Sequence, residues 1–150
     1  MSPGPCVGYV ENMSETLPPI AVLLKEARRA YGAVLRREVE RNGLTPLPAN
    51  GAFVLGALHY GHSREDIMHQ RGQALDKGRA LARLVEAGYV LDEPDGLQLT
   101  ASGHQCAHVI TEATSALTTH LNQALGDEGY AHFVLGLMTL IDIKEEIEAQ

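Results

Sequence analysis

The sequence predicts a mainly α-helical fold with one small β-hairpin, and three observations predict it. Apolar residues recur at helical spacing over most of the chain from Ile20 to Ile141. Between residues 49 and 87 the helical segments are short and separated by glycine-containing turns. A Pro94-Asp95-Gly96 turn then divides two short apolar runs, the pattern of a tight hairpin.

Each element follows in order. Residues 1–18 contain Pro3, Gly4, Pro5, Gly8 and Pro18 and form an irregular arm, with either Met1 or Met13 as the start. A first helix begins at Pro19 or Ile20, where a missing backbone donor costs nothing. Ile20, Leu23, Leu24, Ala27, Tyr31, Val34, Leu35 and Val39 make its apolar stripe, and it stops near Asn42-Gly43, a favourable left-handed cap. A second helix runs from about Ala49 to Tyr60, with Phe53 assigned to the core. Ser63 and Asp66 form a capping-box pattern that starts a third, about Arg64–Gln70. A fourth, about Ala74–Ala87, is closed by Gly88, with Ala74, Gly78, Leu81, Leu84 and Val85 as its inward stripe. Strands at Tyr89–Leu91 and Leu97–Leu99 flank Asp92-Glu93-Pro94-Asp95-Gly96. After Thr100-Ala101-Ser102-Gly103 the chain is helical again, with a break at Gly126 and Gly129. Two short helices across a glycine-containing turn, followed by a hairpin, outline a winged helix-turn-helix with helical flanks.

Composition narrows the function classes. At 150 residues, 45% hydrophobic and 21% charged, the chain suffices for one core and is too apolar to be disordered throughout. No basic region leads into an apolar run at the start, and no stretch approaches the roughly 18 apolar residues of a membrane span. Two cysteines, Cys6 and Cys106, argue against a disulfide scaffold and for a reducing compartment, so the expected location is cytoplasmic. Net charge is −7, but eleven of the twelve basic residues lie between Lys25 and Arg83. That basic middle is the one electrostatic footprint for a polyanion. No glycine-rich phosphate loop, Gly-x-Ser-x-Gly elbow or Cys-x-x-Cys is present, and the expectation is a non-enzyme without a cofactor.

The string Arg79-x-Leu81-x-x-Leu84-Val85-x-x-Gly88-Tyr89-Val90, followed by Leu97-x-Leu99-Thr100-x-x-Gly103, resembles the MarR family of bacterial winged-helix regulators. The order and length of the other elements agree from about Pro19 to Glu148. The resemblance implies a homodimer, with the first helix (19–48, including its connection) and the last helices (104–150) as the dimer region and 49–103 as the reader. It further implies a recognition helix at about Ala74–Ala87 and a crevice for a small aromatic or phenolic ligand. The implied function is a ligand-responsive transcriptional regulator, a repressor, on a pseudo-palindromic operator in double-stranded DNA.

Candidate DNA-binding residues are Arg64, Arg71, Gln73, Lys77, Arg79 and Arg83, of types that reach phosphates and base edges. Candidate ligand-binding residues are Arg28, Tyr31, His59 and Tyr60. No metal site is assigned, although His104 and His108 share a helix face and His59 and His62 close the second helix, which keeps a zinc-responsive regulator as an alternative. A further alternative is a winged-helix dimer that no longer binds DNA and serves as a protein-interaction or ligand-binding module. It draws on two departures from the family pattern. The wing is short and acidic, without the family's aspartate-x-arginine element, and the family's small hydroxyl residues near 75–78 are replaced by Leu75-Asp76-Lys77-Gly78.

Overall fold

The computed structural model describes residues 18–69 and 74–149, with 74–76 described as helix backbone. The expectations for Cys6, Met13, Arg71 and Gln73 lie outside the described residues. The elements are α1 (Ile20–Arg41), α2 (Gly51–His59), α3 (Arg64–His69), α4 (Ala74–Glu86), β1 (Val90–Glu93), β2 (Gly96–Leu99) and α5 (Ala101–Ala149). No helix of the described residues is long and apolar enough to cross a membrane.

Local chemistry ends and starts these helices. At the end of α1, Gly43 adopts φ 70° and the Leu44 amide donates to the Val39 carbonyl at 3.1 Å, which satisfies an otherwise orphaned carbonyl. Helix α2 starts at Gly51, later than the expected Ala49, because the chain turns first: Asn50 takes φ 64° and the Gly51 amide donates to the Pro48 carbonyl at 2.9 Å. The α3 capping box forms in both directions. The Ser63 amide donates to Asp66 Oδ2 at 2.9 Å and the Asp66 amide donates to Ser63 Oγ at 3.1 Å. Hydrogen bonding of the carboxylate by the Ser63 amide, and then by the Ser63 side chain, holds the Asp66 carboxyl below its usual range.

The hairpin is longer than the apolar runs alone indicate. Val90 pairs with Leu99, Leu91 with Gln98, Asp92 with Leu97 and Glu93 with Gly96, so only Pro94 and Asp95 form the loop. Asp92 and Glu93 are thus ladder residues, because the two-residue loop brings their backbones into register as well.

A single core joins Leu35 and Val39 of α1, Val54 and Leu55 of α2, Ile67 of α3, Leu81 and Leu84 of α4, Tyr89 and Val90 at β1, and Cys106 and Ile110 of α5. This core belongs to one compact unit, Ala21–Thr114, which takes in α1 and the start of α5 along with the helix-turn-helix and wing. The second unit contains the rest of α5 from Ser115. The break expected at Gly126 and Gly129 falls at Gly126 alone, whose φ 77° and ψ 166° are non-helical.

The inward face of α4 departs from expectation at three positions. Val85 is exposed, Ala80 is buried, and Lys77 is only 5% exposed. The Lys77 stem lies along the core line of Ala80, Leu81 and Leu84. Its ammonium donates to the Ile67 carbonyl at 3.0 Å and sits 5.4 Å from the centroid of the Phe53 ring. A cation at the C-terminal end of α3 meets carbonyls that helix geometry leaves without partners, which offsets the cost of desolvating it. Phe53, assigned to the core from its sequence position, is 44% exposed and serves as the face under this cation.

The start of α5 is tied to the end of α4 and the start of the wing. The Tyr89 amide donates to the Leu84 carbonyl and the Thr100 amide to the Tyr89 carbonyl, both at 3.0 Å. The Thr100 hydroxyl donates to the Gly88 carbonyl at 2.6 Å and accepts the Gly103 amide at 3.0 Å, capping α5. A Cβ on Gly103 would stand 2.0 Å from the Tyr89 carbonyl oxygen. The Tyr89 ring is buried, and its phenol donates to the Thr45 carbonyl at 2.5 Å.

Gly103→Ala is expected to destabilise the protein by about 3 kcal/mol or more, since backbone must move to admit the methyl group, and denaturant unfolding measures this. Burial, together with the neighbouring Cys106, pushes the Tyr89 phenol up to about 12 from 10.0. With the folded value above the unfolded one, this stability is fully present below pH 10 and is lost as pH rises towards 12. Unfolding midpoints between those values should fall less steeply in Tyr89→Phe than in the parent. Lys77→Ala should cost about 2 kcal/mol through the lost stem packing and hydrogen bond, with Lys77→Met recovering part of it, as read by thermal denaturation.

Candidate nucleic-acid interface

Helix α4 is amphipathic because its apolar positions repeat at three and four residues, and burying that stripe turns the other side outwards. Arg79 and Arg83, four residues apart, share this outward face, with the exposed Ala82 between them. Neither arginine is in an ion pair among the described residues, so both guanidinium groups are available to an anion or a base edge.

Of the other candidate DNA contacts, the structure places two elsewhere. Lys77, expected on the outward face, is buried as described, because the spacing that puts it one turn before Ala80 and Leu81 puts it on the core side. Arg64 lies at the surface at the start of α3, but its guanidinium is bound to the Asp92 carboxylate on β1. Sequence reasoning missed this pairing because its partners are 28 residues apart and meet only once the wing folds against α3. Asp92, Glu93 and Asp95 are exposed on the wing, and no basic side chain lies within it.

The candidate ligand residues fall into two groups within the Ala21–Thr114 unit. Tyr31 Oη and Thr114 Oγ1 are 3.0 Å apart, and Arg28 Nη2 donates to Asn50 Oδ1 at 3.5 Å. His59 sits edge-on to Tyr60, at 5.6 Å between ring centroids, and to His104 at 6.3 Å. Thr114 and Asn50 are additions the sequence did not single out, being small polar residues without a motif.

The histidines are brought together in part. His59 and His104 meet, whereas His62 lies 4.0 Å from Asp66 and His108 Nε2 lies 3.1 Å from Glu112. No group of three His, Cys, Asp or Glu side chains placed to hold a metal ion occurs among the described residues. Cys106 is buried and burial pushes its thiol up, the direction opposite to that of a reactive thiolate.

No family model and no curated protein sequence matches this chain. Solved structures do. A MarR transcriptional regulator from Methanosarcina mazei Go1 is similar at a TM-score of 0.64 and 18% identity, over 89% of this chain and 97% of that one. Ligand-free NadR is similar at 0.65 and 22% identity, over 87% of this chain and 99% of that one. A structure of MarR itself is similar at 0.63 and 16% identity, over 90% and 97%. With its helix-turn-helix, hairpin wing and long flanking helices, the chain has the fold of the MarR-family winged helix-turn-helix transcriptional regulators.

Proposed function

We propose that the protein is a homodimeric transcriptional regulator that binds a pseudo-palindromic operator in duplex DNA through the outward face of α4 and is released by a small ligand. The observation that carries this reading is the pair of exposed arginines, Arg79 and Arg83, on a helix whose opposite face is locked into the core. Such a helix fits the major groove, and arginine is suited to both phosphate oxygens and guanine edges. The fold it shares with transcriptional regulators supports the same reading.

Dimerisation is supported by the apolar surface of α5. Phe133, Leu135, Met138, Leu140 and Ile147 are all exposed on the single chain, more than an isolated soluble unit ordinarily leaves in water. A symmetric dimer presenting two copies of α4 accounts for a pseudo-palindromic target. Ligand release draws support from Arg28 and Tyr31, which offer a cation and a phenol to an aromatic anion, and from the rings of His59 and Tyr60. Such a ligand acts only through different affinities for the DNA-competent and incompetent dimers.

The acidic wing favours a second reading, a winged-helix dimer that binds a protein partner or a ligand without DNA. Asp92, Glu93 and Asp95 repel phosphates where a wing ordinarily approaches them. Selection of random duplexes by the purified dimer at low salt separates the two. Enrichment of an inverted repeat supports the regulator, and an intact dimer that enriches nothing supports the second reading.

On the selected duplex, Arg79→Ala should weaken binding by about tenfold while leaving stability within about 0.5 kcal/mol of the parent. Asp95→Arg should tighten it and steepen the dependence of log affinity on log salt. Unchanged affinity in both variants would remove the outward face of α4 and the wing from the DNA contact, and with them the observation that carries the reading.

A further inference from the structure

The DNA-binding reading leaves the Arg64–Asp92 pair without a role. Arg64 is the first residue of α3, next to its capping residue Ser63, in the turn that the two Ser63–Asp66 hydrogen bonds of the capping box close. Asp92 is held in the β ladder opposite Leu97. Both side chains are 47% exposed, so the pair is at the surface, where solvent and a polyanion can reach it. Two anchored backbones reduce the ordering cost that makes most surface ion pairs weak.

We propose, on the basis of the DNA-binding reading, that Asp92 is a specificity-determining residue that occupies Arg64 in place of a DNA phosphate. A carboxylate and a phosphate compete for the same guanidinium donors. A phosphate approaching Arg64 must displace the Asp92 carboxylate, and the displaced charge would remain on the wing beside Glu93 and Asp95. That exchange replaces one ion pair with another and adds a repulsion, so Arg64 stays with Asp92. The reader accordingly engages the DNA backbone with one surface cation fewer per protomer, in addition to the Lys77 that the core already holds. Arg79 and Arg83, on the outward face of α4, then make a larger share of the contacts, and base recognition counts for more relative to charge. The reversal of sign on the wing thus acts twice: it removes a basic wing contact and also withdraws a neighbouring helix residue.

The test is a double-mutant cycle on full-length protein, with Asp92→Asn, Arg64→Gln and the double variant, each titrated onto the duplex selected by the parent at several salt concentrations. Freeing Arg64 in Asp92→Asn should tighten binding about fivefold at low salt and steepen the log–log salt dependence by about 0.9 for each protomer's added phosphate contact. The loss caused by Arg64→Gln should be about fivefold larger in the Asp92→Asn background than in the parent. Equal effects of Asp92→Asn with and without Arg64 would show plain removal of charge, and would overturn the inference. If the loss from Arg64→Gln, equal in both backgrounds as that same absence of coupling requires, is also sizeable, Arg64 already contacts DNA in the parent. Asp92→Ser serves as a second release variant if the asparagine substitution disturbs the hairpin. Failure of all four proteins to bind any duplex overturns the DNA-binding reading and this inference together, whereas binding without coupling overturns this inference alone.

Discussion

The contact on which the Ala21–Thr114 unit depends is the meeting of the Tyr89 carbonyl with the start of α5. That oxygen accepts the Thr100 amide, and Gly103 presses against it so closely that no side chain fits. One residue earlier, the Gly88 carbonyl accepts the hydroxyls of Thr100 and Ser102 at 2.6 and 3.1 Å. The end of α4, both ends of the wing and the first turn of α5 are therefore joined at two consecutive carbonyls. Tyr89 extends the junction inward, with its ring in the core and its phenol on the connection between α1 and α2. Any shift of the end of α4 has to move the wing and the first turn of α5 with it, which holds the outward face of α4 in place within the Ala21–Thr114 unit. Rigidity of this kind favours recognition, since little side-chain or backbone order is left to be lost on binding.

The electrostatics of the unit are set by desolvation and pairing more than by the count of charges. Four basic residues on or beside the helix-turn-helix have three different fates. Lys77 caps the end of α3 from inside the core, Arg64 is held by the wing, and Arg79 with Arg83 remains on the outward face. The lysine stem explains the first fate, because four methylenes pack as an apolar side chain while the ammonium reaches a carbonyl at the helix end. In a chain with a net charge of −7, Arg79 and Arg83 thus stay exposed side by side on one face of α4.

Much of this was legible in the sequence. The helical periodicity, the Ser63–Asp66 box, the Asn42-Gly43 and Gly88 stops and the Pro-Asp-Gly hairpin all act through neighbours within a few residues, so residue identity and spacing were enough to locate them. The break at Gly126 was legible for the same reason. Harder to read were the places where an element had to choose between two partners. Lys77 and Val85 exchanged their expected sides of α4, because the helix is oriented by everything packed against it and not by its own stripe alone. Phe53, expected in the core, is 44% exposed with the Lys77 ammonium over its ring.

By itself, then, the sequence determined the order and type of the elements and the winged helix-turn-helix to which they add up. Local hydrogen bonding and the burial of periodic apolar residues decide these, and both depend on short separations along the chain. Only the tertiary structure decided which charges face outwards. It brought Arg64 to Asp92 and Tyr31 to Thr114 across 28 and 83 residues, and it drew Lys77 under the end of α3. The free energy of a charged side chain is governed by the groups and the water around it, and those surroundings do not exist until the chain has folded.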